Sequence, residues 1–283
     1  MMQSLRQFPL LLFIFLVLAT PKARAAEDLE MINRPVNTSA LTGLLVTTSP
    51  FTLPLRTLEV GFGVVSENSL LPKYTSASYP LIITYGLSQN HEMGLKVPYN
   101  YLNVDMVSKT RGMGDTELSY KWNFFPQPEN QFRPGLAVIA TGIFPTGDRE
   151  TGMNSISHWG ARVGLAVGSE IIWEDHIIGI YGDAQAAVQD LSDNELKDSY
   201  MLVNAGILFP ISKYRNLQIL IEFNQRKGKD VVTFDGVDYS AVTYGLRLVN
   251  ERFNLSFGTQ FVHKSTEGYD NSSKLIGMIS IKI

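Results

Sequence analysis

Apolar and polar residues alternate along most of this chain with a period of two. In Arg252 to Phe261, RFNLSFGTQF, the residues Phe253, Leu255, Phe257 and Phe261 alternate with Asn254, Ser256, Gly258 and Gln260, and Thr259 is the one soft position. Successive side chains of a strand point to opposite faces, so this stretch has one apolar and one polar face. The same pattern runs through Leu58–Val64, Met93–Tyr99, Thr116–Phe124, Trp159–Val167, Leu217–Phe223, Val242–Leu248 and Leu275–Ile283. With the less regular segments it predicts about twelve strands, near 55–65, 77–87, 91–101, 114–125, 133–146, 158–172, 176–188, 199–211, 217–226, 238–249, 253–263 and 273–283. Segments 133–146 and 176–188 are the least regular, because small residues blur their alternation.

The connections decide where the apolar face points. Long ones near 66–76, 102–113, 147–157, 189–198, 227–237 and 264–272 alternate with short ones at 87–90, 173–175, 212–216 and 250–252, and with a middling one at 126–132. Tight turns at one end, long loops at the other and an even strand count are the layout of a transmembrane barrel. The polar face carries Glu59, Glu92, Lys96, Asp115, Glu117, Lys121, Arg162, Glu222 and Arg247. A soluble barrel would have to bury its many large aromatics in a small lumen instead. The fold class expected is all-β: a single antiparallel transmembrane β-barrel with short periplasmic turns, long external loops and both termini in the periplasm. Tyr99, Tyr101, Trp122, Phe124, Phe125, Trp159, Trp173, Tyr200, Tyr239 and Tyr244 then read as aromatic girdles facing lipid.

The N-terminus supplies the route to that membrane. Arg6, the apolar run Phe8 to Ala19 and the small-residue site Ala23-Arg24-Ala25 form a secretory signal peptide, so residues 1–25 are expected to be removed. The net charge is -3; losing Arg6, Lys22 and Arg24 with no acid takes it to -6. A mildly acidic chain argues against a nucleic-acid role. The chain has no cysteine, so no disulfide framework holds it, and a barrel with a fully paired backbone is the alternative device. Residues 26–54, with Pro35, Pro50 and Pro54, are too irregular for a strand and read as a periplasmic tether or a plug; residues 55–283 form the barrel.

Three stretches go beyond pattern: YGLSQNHEMGLKVPY (Tyr85–Tyr99), GMGDTELSYKWNFF (Gly112–Phe125) and PGLAVIATGIFPTGD (Pro134–Asp148). On Tyr85, Gly86, Leu87, Pro98, Gly114, Asp115, Pro145, Thr146, Gly147 and Asp148 the chain resembles the MetA-pathway of phenol degradation family. The resemblance implies an outer-membrane barrel of transporter or channel type, without fixing phenol as a substrate. Upstream, LTGLLVTTSPFTLPLRTLEVGFG (Leu41–Gly63) is similar to the opening of barrel proteins linked to exopolysaccharide export.

The function expected is an outer-membrane channel for passive movement of small solutes, aromatic or otherwise hydrophobic compounds among them. The alternative is a closed structural barrel accessory to exopolysaccharide export or envelope integrity. The candidate selectivity lining is Glu59, Glu92, Lys96, Glu117, Lys121, Arg162, Glu222 and Arg247, which either filter solutes or pair across strands and fill the bore. At the rim, Gly114, Asp115, Pro145, Thr146, Gly147 and Asp148 either bind a cation or do turn chemistry. His91, His158, His176 and His263 show no metal-ligand spacing and no G-x-S-x-G occurs, so no enzyme, catalytic residue, metal or cofactor is expected. The partners expected are the lipid bilayer, lipopolysaccharide, the outer-membrane assembly machinery and a small-molecule solute. The loops Asp190–Asp198 (acidic) and Arg226–Asp230 (basic) face either solvent or lipopolysaccharide.

Overall fold

In the computed structural model, residues 35–70, 73–105, 108–128, 133–148, 159–173, 176–190, 197–211, 217–228, 238–250, 252–265 and 270–283 are described. The signal peptide, the tips of most long loops, His158, most of the loop Asp190–Asp198 and the last two residues of Arg226–Asp230 lie outside these residues. The strands are β1 (Leu58–Leu70), β2 (Lys73–Ser88), β3 (His91–Val104), β4 (Ser108–Met113), β5 (Thr116–Phe125), β6 (Gly135–Phe144) and β7 (Gly160–Trp173). They continue with β8 (His176–Asp190), β9 (Lys197–Pro210), β10 (Leu217–Gly228), β11 (Tyr239–Val249), β12 (Phe253–Lys264) and β13 (Ser272–Lys282).

Every pairing is antiparallel; all but two join neighbours in sequence, the exceptions being β3 with β5 and β1 with β13, which closes the ring. β4 and β5 share one place in it: both pair with β3, β4 along Tyr99–Val104 and β5 along His91–Lys96. The thirteen strands therefore make a closed ring of twelve positions. Closure leaves no open edge, which is what a lipid-embedded sheet requires.

The alternation of the sequence becomes inside and outside. In β12, Leu255, Phe257 and Phe261 are exposed on the outer surface, while Asn254, Ser256 and Gln260 are buried within the ring. In β10, Leu217, Ile219, Ile221 and Phe223 face out and Gln218, Glu222 and Asn224 face in. The outward belt ends in ring-on-ring contacts: His91 stacks on Trp122 at 5.9 Å and Trp122 meets Phe124 edge-on, while Tyr244 meets Phe261 toward the long loops. An outward apolar belt with aromatics at its margins, around a polar interior, is the surface of a barrel that spans lipid.

Three expectations are corrected, and the blurred segment 133–146 is explained. Tyr200 and Tyr239 do not belong to the lipid girdle. Tyr200 is buried within the ring under Arg226, 3.9 Å above its ring, and Tyr239 lies on the lumen-facing register of β11 beside Lys274. Connections 66–76 and 102–113 are mostly ladder, because β1 and β2 pair out to Leu70–Lys73 and β3 and β4 to Val104–Ser108. Gly114-Asp115 does not end a strand at the rim but divides one. The divide lies opposite Pro98, which has no N–H to return to the ladder; its carbonyl accepts from Gly114 N at 2.8 Å. Lastly, β6 turns Ala137, Ile139 and Ile143 inward, so its apolar residues occupy both faces.

Candidate functional site

Apolar side chains inside a polar bore need a partner, and residues 35–53 supply it. This segment lies within the ring: Val36, Ala40, Leu41, Leu44, Leu45 and Leu53 are all 2% exposed or less. It is a compact knot with its own logic. Asn37 Oδ1 accepts from the N–H groups of Ser39 and Leu41, and its amide nitrogen donates to Val46 O and Thr48 Oγ1. Backbone bonds from Asn37 N to Leu41 O (2.8 Å) and from Leu44 N to Thr47 O (2.8 Å) close its two bends. Ala40 holds φ at 60°, a left-handed conformation that costs a non-glycine residue about 1–3 kcal/mol and persists where packing dictates it.

The wall meets this knot with apolar pockets and carboxylates. Leu44 and Leu45 pack with Leu208, Leu220 and Ile276; Val36 and Ala40 with Ile82 and Met278; Leu41 with Ala137, Ile139 and Ala166. The side chain of Leu45 enters where Gly245 faces Gly258 across β11 and β12; a Cβ on either would lie 2.7 or 2.5 Å from its Cδ1. At Gly94 the approach is closer, since a Cβ there would lie 1.8 Å from Ala40 O. Glycine at these places is a requirement of the bound segment.

Between the apolar contacts, the segment's backbone N–H groups donate to acidic side chains of the wall. Glu222 accepts from Leu45, Val46 and Thr47, the last at 2.6 Å. Glu92 accepts from Thr42 N and Leu53 N, and its Oε1 lies 2.7 Å from Lys121 Nζ in an ion pair with no exposure. Lys121 in turn donates to Thr42 Oγ1 and to Ser49 O. Asp183 accepts from Thr48 N at 2.8 Å, and Glu59 from Val36 N at 3.3 Å. An isolated charge in such surroundings would be very costly; multiple N–H donors and one counter-charge make these tolerable. The segment leaves at the short-turn end, where Arg56 N donates to Gly86 O and Leu58 exchanges both backbone bonds with Ile283.

The eight lumen candidates therefore divide by height. Glu59, Glu92, Lys121 and Glu222 touch the internal segment, and Arg247 lies buried at the same end, donating from Nε to Ser256 Oγ. Lys96, Glu117 and Arg162 lie nearer the long loops: Lys96 Nζ is 2.8 Å from Glu117, which also pairs with Arg162. Between the two groups runs a row of amides and hydroxyls in which Asn204, Asn224, Thr243 and Gln260 bond to one another.

The rim motifs come together around the strand divide. Asp115 Oδ1 accepts from Gly147 N at 3.0 Å, Thr146 Oγ1 accepts from Thr116 N, and Asp148 N donates to Met113 O. Pro145-Thr146-Gly147-Asp148 thus laces the end of β6 to the break between β4 and β5, at the place where the ladder is interrupted. Among the described residues no three His, Asp or Glu side chains gather as metal ligands.

Sequence reasoning missed Asp183 and the role of Asn37, and left the placement of residues 26–54 open. A signal was present. Ile82, Ile139, Leu220, Ile276 and Met278 sit on the face that is otherwise polar, and they mark where something apolar docks inside.

No protein-family model matches the chain, and no curated protein matches it in sequence. Solved structures do. An outer membrane channel from Pseudomonas putida F1 superposes with a TM-score of 0.60 at 13% identity, over 83% of this chain and 98% of that one. The NanC porin gives 0.52 at 9% identity, over 78% and 100%. LpxR from Salmonella typhimurium gives 0.51 at 12% identity, over 78% and 99%. At these identities the likeness establishes the fold: an antiparallel barrel of the outer-membrane type.

Proposed function

We propose that this chain is a bacterial outer-membrane channel for the passive movement of small solutes, and that residues 35–53 form an internal plug that sets when it conducts. The observation that carries the reading is the polar bore. Its upper part is lined by charged and amide side chains, and its lower part is filled by a segment held through reversible contacts rather than by the wall's own side chains. A barrel built only to be closed would fill its bore with apolar side chains at lower cost in buried charge. The fold likeness to a Pseudomonas putida outer membrane channel and to a porin supports the same reading, as do the family motifs around Pro98, Asp115 and Asp148. The rim motifs serve to close the wall at the strand divide.

The test is solute flux through proteoliposomes carrying the refolded chain, with folding verified by a heat-sensitive gel shift. The reading expects efflux of small solutes above that of protein-free liposomes. Liposomes that stay tight while the protein is folded would refute it.

A further inference from the structure

Arg247 is buried in the lower half of the bore without a carboxylate partner. It keeps 2% of its surface and donates from Nε to Ser256 Oγ. Its Nη2 is buried and has no hydrogen-bond partner among the described residues, and no carboxylate among them lies within ion-pair distance of it. Burying a guanidinium in this way costs free energy that pairing with a carboxylate would recover. The carboxylate whose charge acts on it most strongly is Glu222.

What separates the two is the docked segment itself. On the inner face of β10 and β11, Gln218 stands opposite Arg247, Leu220 opposite Gly245 and Glu222 opposite Thr243. Arg247 and Glu222 are thus two inward positions apart in register, roughly 13 Å along the ladder, a span that an arginine and a glutamate side chain cover between them. The inward position between them on β11 is Gly245, which faces Gly258 of β12 and brings no side chain of its own. Leu45 fills that window, since a Cβ on either glycine would lie 2.7 or 2.5 Å from its Cδ1. The same stretch, Leu45 to Thr47, gives Glu222 its three N–H donors. One short piece of chain therefore both occupies the carboxylate and bars the guanidinium from it.

We infer that Glu222 has two alternating partners: the N–H groups of Leu45, Val46 and Thr47 while the segment is docked, and the Arg247 guanidinium once Leu45 has left the Gly245–Gly258 window. The inference rests on the reading of residues 35–53 as a plug that leaves its seat. Undocking by itself would leave a bare carboxylate and a bare guanidinium in the bore. The swap joins them in a charge-assisted pair, so the open barrel is a defined second state rather than the closed one with a piece missing. Arg247 thus works against the plug, being unpaired in the closed state and paired in the open one. Glu222 works for it, since docking gives the carboxylate three donors in exchange for one guanidinium.

Hydrogen exchange of residues 35–53 in the refolded full chain tests it, with folding of each variant verified by gel shift. Arg247→Met removes the cation and is expected to slow that exchange by more than about tenfold. Arg247→Gln, which keeps a donor for Ser256 Oγ, is expected to do the same, and Arg247→Lys, which keeps the charge, to stay near the intact chain. The effect should depend on Glu222. Added to Glu222→Gln, which itself loosens the segment, Arg247→Met is expected to slow exchange severalfold less than it does alone, because the open barrel has no carboxylate left to pair. Faster exchange in Arg247→Met and Arg247→Gln would show that the arginine holds the segment in place and would overturn the inference. Equal slowing with and without Glu222→Gln would overturn it too. In planar bilayers Arg247→Met is expected to open less often than the intact chain. Slowing that depends on Glu222, with no current from either protein, would leave the partner swap standing and sink the channel reading alone.

Discussion

Single residues carry opposite duties on the two faces of one strand, and substitutions should separate them. Phe257 is 53% exposed on the outer belt near the middle of β12. Phe257→Arg there should cost about 2–4 kcal/mol of barrel stability in lipid. Lys274→Gln, whose ion pair is partly hydrated, should cost less than about 1 kcal/mol. Denaturant unfolding in vesicles measures both, and equal costs would contradict the assigned facing. Gly94 makes a sharper case, because the Cβ that any other residue brings meets Ala40 O at 1.8 Å. Gly94→Val should leave the ring closed and expel the segment at Ala40. Amides of residues 35–53 would then exchange with solvent much faster, while those of β10 to β12 would not.

At the scale of elements, the docked segment behaves as a ligand that the chain carries for itself. Glu92 and Lys121 are a fully buried pair that also holds Thr42 and Leu53. Glu92→Gln leaves Lys121 uncompensated, which should weaken docking by about 3–5 kcal/mol. Adding Lys121→Met should recover much of that loss. Hydrogen exchange of residues 35–53 in the two variants reads the difference, and a double variant as loose as the single one would show that the pair is not coupled. The strands themselves were legible because lipid outside and polar groups inside impose a strict period of two; Leu255, Phe257 and Asn254 follow it without exception. β6 was blurred for a physical reason: Ala137 and Ile139 face Leu41, so both of its faces are apolar. Tyr200 misled for a related reason. An aromatic near a strand end suits a lipid girdle, yet it suits a cation in the lumen equally well, and only strand parity decides.

For the whole molecule, closure and filling are separate properties. Closure is written in local pattern and in the Leu58–Ile283 pairing. Filling depends on contacts between residues far apart in sequence, such as Thr47 with Glu222 and Thr48 with Asp183, and no local period announces these. The candidate site was therefore legible as a set of inward charges, but not as two groups with different partners. Glu222, bound to three successive backbone N–H groups, is the contact whose loss should most directly turn filling into opening. The measurement that tests the central claim most directly is single-channel current in a planar bilayer, for the refolded full chain and for Glu222→Gln, with folding of both verified by gel shift. Discrete steps are expected from the intact chain and more frequent or larger ones from Glu222→Gln. Silence from both folded proteins would contradict it.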